Sequence, residues 1–167
     1  MTDAVLRAAR GDEAETLVEI QAEASTAALA HIFPPELYPF PFEAIREQWQ
    51  RALADAQARV LVAEIGGHAV GVAAVRPEWL EGLYVFPACW GTGVGPALHD
   101  RALELVAELG SARCHLWVLD GNGPARRFYE RRGWRENGRT RVVPFPPNPL
   151  DVGYTLTPQT GRRLAPR

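Results

Sequence analysis

Three glycines at alternate positions stand just before an apolar run, in the segment CWGTGVGPAL (89–98). Gly91, Gly93 and Gly95 leave the backbone bare, and Pro96 follows them with a φ that already suits the first turn of a helix. Successive N–H groups at a helix start, together with the helix dipole, favour an anion such as a pyrophosphate. A simple tight turn does not need three glycines in five residues. The spacing therefore predicts a phosphate-binding loop.

Two other kinds of glycine-rich nucleotide loop fit this segment poorly. The 18 basic residues are all arginine, whereas a Walker loop needs a lysine, so a P-loop nucleotide hydrolase is excluded. A Rossmann fingerprint has the spacing G-x-G-x-x-G close to the first strand of its fold. Here the spacing is G-x-G-x-G, past the middle of the chain and after predicted hairpins. The Rossmann interpretation is therefore disfavoured.

A second segment with chemical potential is NGPARRFYERRGW (122–134). Asn122 stands where its side chain can cap a short helix, Pro124 lies in the first turn, and Gly133 follows the end. Tyr129 offers a hydroxyl that retains its proton at neutral pH, as a general acid requires.

The elements that must hold these segments follow from hydrophobic periodicity and from Gly and Pro punctuation. Strands are predicted at residues 4–9, 59–65, 68–76, 80–86, 112–119, 134–143 and 151–156, and helices at residues 11–29, 42–56, 96–110 and 122–133. The order predicts an α/β (α+β) chain whose sheet begins antiparallel and has one crossover helix after the fourth strand. We expect residues 1–167 to form a single domain, with the last ten residues frayed.

Composition limits the classes of partner. The net charge of −2 disfavours a nucleic-acid binder, and the absence of a long apolar run disfavours a membrane span. The first residues lack a secretion signal, so the expected compartment is the cytoplasm, with Cys89 and Cys114 reduced. The four histidines have no metal-ligand spacing, and Cys89 has no Cys-His-acid pattern around it, so neither a metal site nor an acyl-enzyme is expected.

The two segments together resemble the signatures of the GCN5-related N-acetyltransferase (GNAT) family. LYVFPACWGTGVGPALHDRAL (83–103) is similar to its acyl-CoA motif, a strand, a proline and then Q/R-x-x-G-x-G/A. LWVLDGNGPARRFYERRGW (116–134) is similar to its second signature, N-x-x-A-x-x-F-Y-x-x-x-G-F/W. The resemblance covers roughly residues 4–156, in the family's order of elements. One departure is Trp90, which stands where the family usually has Gln or Arg.

The resemblance implies a GNAT fold, a single mixed and mostly antiparallel twisted sheet of about seven strands with helices on both faces. It also implies acetyl-CoA as cosubstrate and no metal. The residues that would bind acetyl-CoA are Leu83, Tyr84, Val85, Gly91, Thr92, Gly93, Val94, Gly95, Pro96, Asn122 and Tyr129.

Three residues would carry the catalysis, Val85 and Tyr129 by resemblance and Glu81 from its expected position on the strand. The backbone along 83–85 would pair with the pantetheine arm, and the N–H of Val85 would stabilise the oxyanion. Tyr129 would protonate the departing thiolate. Glu81, expected on the same alternating face as Val85, would take the proton of the amine directly or through water. Glu78 and Tyr84 remain alternatives for this base.

The acceptor is expected to be a primary amine of a small molecule, antibiotic-like or metabolic, bound by a monomer or homodimer. Residues 1–60 hold ten acids and five arginines, and residues 121–167 hold three acids and ten arginines. An acidic N-terminal half facing the cleft would favour a cationic amine. Two alternatives remain open: a protein or peptide N-terminal acetyltransferase, and a non-catalytic acyl-CoA-binding module.

Overall fold

The fold is one mixed sheet of seven strands with two helices on each face, seen in a computed structural model that describes residues 3–157. The strands are β1 Val5–Ala8, β2 Arg59–Ile65, β3 His68–Arg76, β4 Trp79–Val85, β5 Cys114–Leu119, β6 Arg135–Val142 and β7 Leu150–Leu156. The helices are α1 Ala14–Leu29, α2 Phe42–Ala54, α3 Val94–Glu108 and α4 Gly123–Glu130, and Pro87–Cys89 forms a short 3₁₀ turn.

The strand order is β1-β2-β3-β4-β5-β7-β6. Every neighbouring pair is antiparallel except β4 and β5, which are parallel and joined by the crossover helix α3. The predicted fold class and the single crossover are therefore confirmed. The expectation that the last ten residues are frayed lies outside the described residues.

Alternation along the central strands divides the apolar side chains between two cores. On β2, Leu61 and Ala63 join the core under α3 and α4, while Val62 joins the core under α1 and α2. Each fully buried Leu or Ile side chain, such as Leu17 or Leu98, contributes about 1.5–3 kcal/mol. These two cores fix both ends of β4, the strand that carries the candidate site.

The start of α1 is anchored to β1 by Glu13. Its carboxylate accepts hydrogen bonds from Arg7 at 2.6 and 2.9 Å and from the backbone N–H of Arg10 at 2.6 Å. The hydrogen bonds from Arg7 dominate in lowering the pKa of Glu13 to about 2. The carboxylate is only 7% exposed, so this pairing compensates its loss of hydration.

Candidate functional site

Strands β4 and β5 are paired only at their first residues. In the described part of the chain their one register pair is Trp79 with His115, reinforced by the N–H of His115, which donates to the Glu78 carbonyl at 2.7 Å. On its other side β5 pairs along its whole length with β7. The two strands therefore diverge toward their carboxyl ends, and a gap opens between Val85 and Leu119, which we call the β4–β5 gap.

The edge of β4 that faces this gap carries unpaired backbone groups. The N–H of Phe86 donates to the Val70 carbonyl on β3 at 2.9 Å. Because backbone groups alternate in direction along an antiparallel strand, those of Val85 and Leu83 point to the gap. Those of Tyr84 point to β3, and its side chain packs on the core under α1 and α2, so Tyr84 does not offer the gap the backbone contact predicted for the whole 83–85 segment.

The glycine loop lies at the open end of the same gap. Gly91 and Gly93 have φ values of 73° and 95°, which favour glycine. Gly93 is the N-cap residue, directly before the first residue of α3. Among the hydrogen bonds of the described residues, none is donated by the backbone N–H groups of residues 91–95. The hydroxyl of Thr92 donates to the Cys89 carbonyl at 2.6 Å and braces the loop. These free donors at a helix start form an anion cradle.

Trp90 ties this loop to β4. Its indole Nε1–H donates to the Val85 carbonyl at 2.8 Å, while 49% of the residue stays exposed. The side chain that replaces the family's Gln or Arg therefore fixes the loop geometry and brings no positive charge. Because this bond occupies the Val85 carbonyl, the N–H is the backbone group of Val85 that stays free at the gap.

Tyr129 approaches the gap from α4. It is 9% exposed and packs edge-to-face on Phe128 and Trp134 at 5.2 and 5.7 Å between ring centroids. No buried side-chain oxygen or nitrogen in the described residues lacks a partner, and the Tyr129 hydroxyl has no protein partner there, so it reaches solvent. Burial first, then the nearby Tyr84 and Cys114, raise its pKa well above 10. The phenol therefore keeps its proton at neutral pH.

Helix α4 is packed directly against the glycine loop. A Cβ added at Gly95 would lie 3.8 Å from the Phe128 ring, and the Arg132 guanidinium lies 3.7 Å from the centre of that ring on its face. Asn122 caps α4 by accepting a hydrogen bond from the N–H of Ala125 at 3.3 Å, which confirms the predicted cap. The position of Tyr129 relative to the loop is thus set by side-chain packing.

His99 supports the aromatic cluster around Tyr129. Trp134 can only donate through Nε1–H, and it does so to His99 Nε2 at 2.9 Å, which leaves Nδ1–H to face Asp100 Oδ1 at 2.9 Å. Burial lowers the pKa of His99 from its ordinary 6.5, with Arg132 also lowering it and Asp100 opposing the shift. Because Nε2 accepts from Trp134, this arrangement holds the neutral ring with its proton on Nδ1.

This lowered pKa predicts a pH-dependent stability that the variant His99→Gln should lose. Below about pH 6.5 the unfolded chain binds a proton at His99 that the folded chain does not bind. The free energy of unfolding therefore decreases as the pH is lowered through that window. Glutamine can still accept from Trp134 but does not titrate. Urea unfolding of both proteins from pH 8 to pH 5 should show a flatter profile for the variant. Parallel profiles would contradict the neutral state of His99.

Glu81 does not lie where simple alternation predicts. A β-bulge pairs Val75 with Leu80 and Ala74 with Gly82, so Glu81 is the extra residue, and Leu80 joins the same core as Val85. The alternation therefore breaks at Glu81, so the regular alternation from which its position on the Val85 face was predicted does not hold there.

The surroundings of Glu81 still leave it chemically available. Its carboxylate lies 3.7 Å from Arg76 Nε, and its side chain is 42% exposed. Partial burial raises its pKa, and Arg76 opposes that shift. Glu81 lies four positions before Val85 along the strand, about 13 Å, so water must carry a proton from an amine held near Val85 to Glu81. Glu78, at φ 67° in the β3–β4 turn, lies still farther away, at the closed end of the gap.

Four residues beside the gap were not predicted from the sequence: Asp151, Arg141, Trp117 and Trp79. Asp151 is 6% exposed on β7, on the sheet face opposite α3 and α4, and its Oδ2 accepts from Arg141 Nε at 2.8 Å. The Arg141 guanidinium lies over the Trp117 ring, 4.7 Å from its centroid, and Trp117 stacks on Trp79 at 6.2 Å. The charge of Asp151 also contributes to the rise in the pKa of Tyr84 to about 12, although burial is its main cause.

The acids of the N-terminal segment are mostly paired locally. Six of the ten acids in residues 1–60 lie within ion-pair distance of an arginine: Asp12, Glu13, Glu15, Glu43, Glu47 and Asp55. Their charge is therefore spread over local ion pairs and is not gathered at the β4–β5 gap.

Neither cysteine is part of a disulfide, and burial raises the pKa of Cys114 to about 12. Within residues 3–157, no group of three His, Cys, Asp or Glu side chains is arranged to hold a metal ion. No helix in that range has the length and apolar character needed to cross a membrane.

Comparison with known proteins agrees with this geometry. The chain is 37% identical over 87 residues to an uncharacterized N-acetyltransferase of Archaeoglobus fulgidus, covering 46% of this chain and 59% of that one. The chain thus matches less than two thirds of that curated relative's length.

Solved structures share the fold. A GCN5-related N-acetyltransferase of Rhodopseudomonas palustris superposes with a TM-score of 0.74 at 22% identity, over 94% of this chain and 97% of that one. The PaiA N-acetyltransferase of Thermoplasma acidophilum, solved with coenzyme A, superposes with a TM-score of 0.71 at 19% identity, over 93% and 99%. A sequence model described as the acetyltransferase (GNAT) family matches residues 14–134. The resemblance drawn from the two motifs is confirmed, and the chain belongs to the GNAT family.

Proposed function

We propose that this protein is an acetyl-CoA-dependent N-acetyltransferase that transfers an acetyl group directly to a primary amine of a small molecule. One observation carries the proposal. The N–H groups of residues 91–95 donate to no protein acceptor in residues 3–157, β4 and β5 are paired only at Trp79, and the Tyr129 hydroxyl has no protein partner there either, which together support a site for acetyl-CoA along the β4–β5 gap. A non-catalytic acyl-CoA-binding module would need the first two features but has no use for the third.

The residues present fit acetyl-CoA as cosubstrate. The glycine-loop amides would hold its pyrophosphate, with Pro96 supplying a first-turn residue that has no N–H to satisfy. Leu83 and Val85 would bind the pantetheine amides as a neighbouring strand would. The Thermoplasma acidophilum neighbour binds coenzyme A on the same fold, which supports this assignment.

The catalytic roles follow from the charges that develop during transfer. Acetyl-CoA supplies a thioester, in which the carbonyl carbon is attacked and the sulfur leaves. The N–H of Val85 donates to the carbonyl oxygen as it gains negative charge. Tyr129 donates its proton to the sulfur as the carbon–sulfur bond breaks. Glu81 receives the proton of the amine through water, for which its raised pKa makes it a better acceptor.

The remaining expectations stay part of this proposal. A single acetyltransferase domain over residues 1–167, as monomer or homodimer, would work in the cytoplasm, where its two free thiols stay reduced. The acceptor amine is cationic in its resting state at neutral pH. Neither nucleic acid nor membrane takes part.

The experiment that tests this function is an amine panel with detection of released thiol, run beside calorimetry of coenzyme A binding. Thiol release that depends on one class of amine supports the transferase. Coenzyme A binding without thiol release from any small amine or peptide contradicts it and favours a binding module. Release with peptides alone favours the N-terminal acetyltransferase alternative.

A further inference from the structure

The ion pair of Asp151 and Arg141 lies beside the β4–β5 gap without a role in the chemistry described above. Asp151 is paired in register with Leu119, the residue at the open end of β5, and with Arg141 on β6. Its neighbours Val152 and Tyr154 alternate into the core under α3 and α4. Asp151 therefore faces the opposite side of the sheet, the side on which the Tyr84 side chain also packs.

The geometry of this pair leaves binding capacity on both partners. A pair that only neutralises a buried carboxylate favours two parallel bonds, which use both oxygens. Here one bond joins Arg141 Nε to Asp151 Oδ2, and the terminal nitrogens of Arg141 donate to no acceptor in residues 3–157. Asp151 Oδ1 has no partner there either. Because every fully buried side-chain oxygen in residues 3–157 has a hydrogen-bond partner, this unpaired oxygen must be in contact with solvent.

The Trp117 ring also holds the Arg141 guanidinium in place. Trp117 supports its plane at 4.7 Å, and Trp79 stacks on Trp117 at 6.2 Å with 20° between the rings. An arginine fixed through Nε and through its face presents its two terminal nitrogens as a preorganised fork. That fork matches a carboxylate, whose two oxygens accept parallel hydrogen bonds.

We propose that Arg141, held by Asp151 and Trp117, binds a carboxylate on the acceptor amine, so that the acceptors are amino acids and not simple amines. This inference rests on the proposed N-acetyl transfer and names its substrate class. The reacting nitrogen has to become neutral before it attacks, so its own charge cannot hold the acceptor throughout the reaction. A carboxylate stays charged at every step, and Asp151 Oδ1 remains free to accept an N–H from the amine.

A binding experiment tests the site without requiring turnover. The coenzyme A complex is titrated with N-acetylalanine, N-acetylleucine and N-acetylphenylalanine, each against its neutral primary amide. In the wild type the acid should bind about tenfold more tightly than the amide, as expected for a half-exposed charge-assisted pair. Arg141→Gln should equalise the two. Arg139→Gln, which removes the same charge from the same strand, should keep the preference.

Two further arms complete the test. Arg141→Lys keeps a positive charge near Asp151, and so protects the fold, but lacks the fork, so it should retain only part of the preference. In the activity arm, kcat/KM for each amino acid is compared with that for its decarboxylated amine. Equal binding of acid and amide by the wild type, or an unchanged preference in Arg141→Gln, overturns the proposal. Acid-selective binding with no thiol release from any amine leaves the Arg141 site standing and refutes the transferase function.

Discussion

Gly93→Val is expected to lower the affinity for acetyl-CoA about 100-fold or more, because two or more charge-assisted hydrogen bonds to phosphate would be lost. The cradle needs the free N–H groups of residues 91–95 to approach the phosphate oxygens closely, and Gly93 lies at its centre with φ 95°. A β-branched side chain both covers the amides and resists this backbone conformation. Calorimetry with coenzyme A measures the loss.

Two companion variants separate this effect from general damage to the fold. Gly95→Ala adds its methyl group in ordinary contact with Phe128, at 3.8 Å, inside a helix that favours alanine. It should therefore keep the stability of the fold, which shows that a side chain at this helix start is tolerated. Gly93→Asn tolerates the left-handed backbone better than valine, so it should remain folded while binding weakly. Full affinity in a folded Gly93→Asn or Gly93→Val protein would refute the backbone cradle.

The sequence was sufficient for the elements and for the two motif segments, because both depend on local order. The predicted strands 59–65 and 68–76 coincide with β2 and β3, since alternation and the Gly66-Gly67 turn are local signals. The glycine loop before α3 and the cap at Asn122 could be predicted because each depends on residues only a few positions apart. Local signals are the ones a single sequence records most directly.

The parts of the site that needed the structure depend on register between distant strands. The alternation on β4 breaks at Glu81 because of a bulge against β3, and although the neighbouring Gly82 is a residue that often marks a bulge, a single glycine does not fix which residue is the extra one. Asp151 and Arg141 meet only because β6 and β7 pair with a shift between Glu136 and Thr140. The early end of the β4–β5 pairing, which opens the gap, is likewise a property of two strands about 30 residues apart. Trp90 was recognised as a departure, but its bond to Val85 requires the folded loop.

Tyr129→Phe is expected to reduce kcat about 100-fold, the low end of general-acid contributions. As the carbon–sulfur bond breaks, negative charge moves to the sulfur, and in the proposed complex the Tyr129 phenol, which has no protein partner among residues 3–157, donates to it. A thiolate is already a fair leaving group, since a simple thiol has a pKa near ~8.5, so the donor assists and is not indispensable. The KM for acetyl-CoA should change little, because the interaction strengthens only as the sulfur gains charge.

Steady-state kinetics on the best acceptor, with the melting temperature as the folding check, measure this effect. Tyr84→Phe removes a second buried phenol and tests the alternative base: an unchanged kcat excludes Tyr84 from that role, and a large loss assigns it. Since burial raises the pKa of Tyr129 above 10, the wild-type kcat should show no loss from phenol deprotonation between pH 7 and pH 9. A folded Tyr129→Phe protein with full kcat would make Tyr129 a packing residue of the Phe128–Trp134 cluster and leave water to protonate the thiolate.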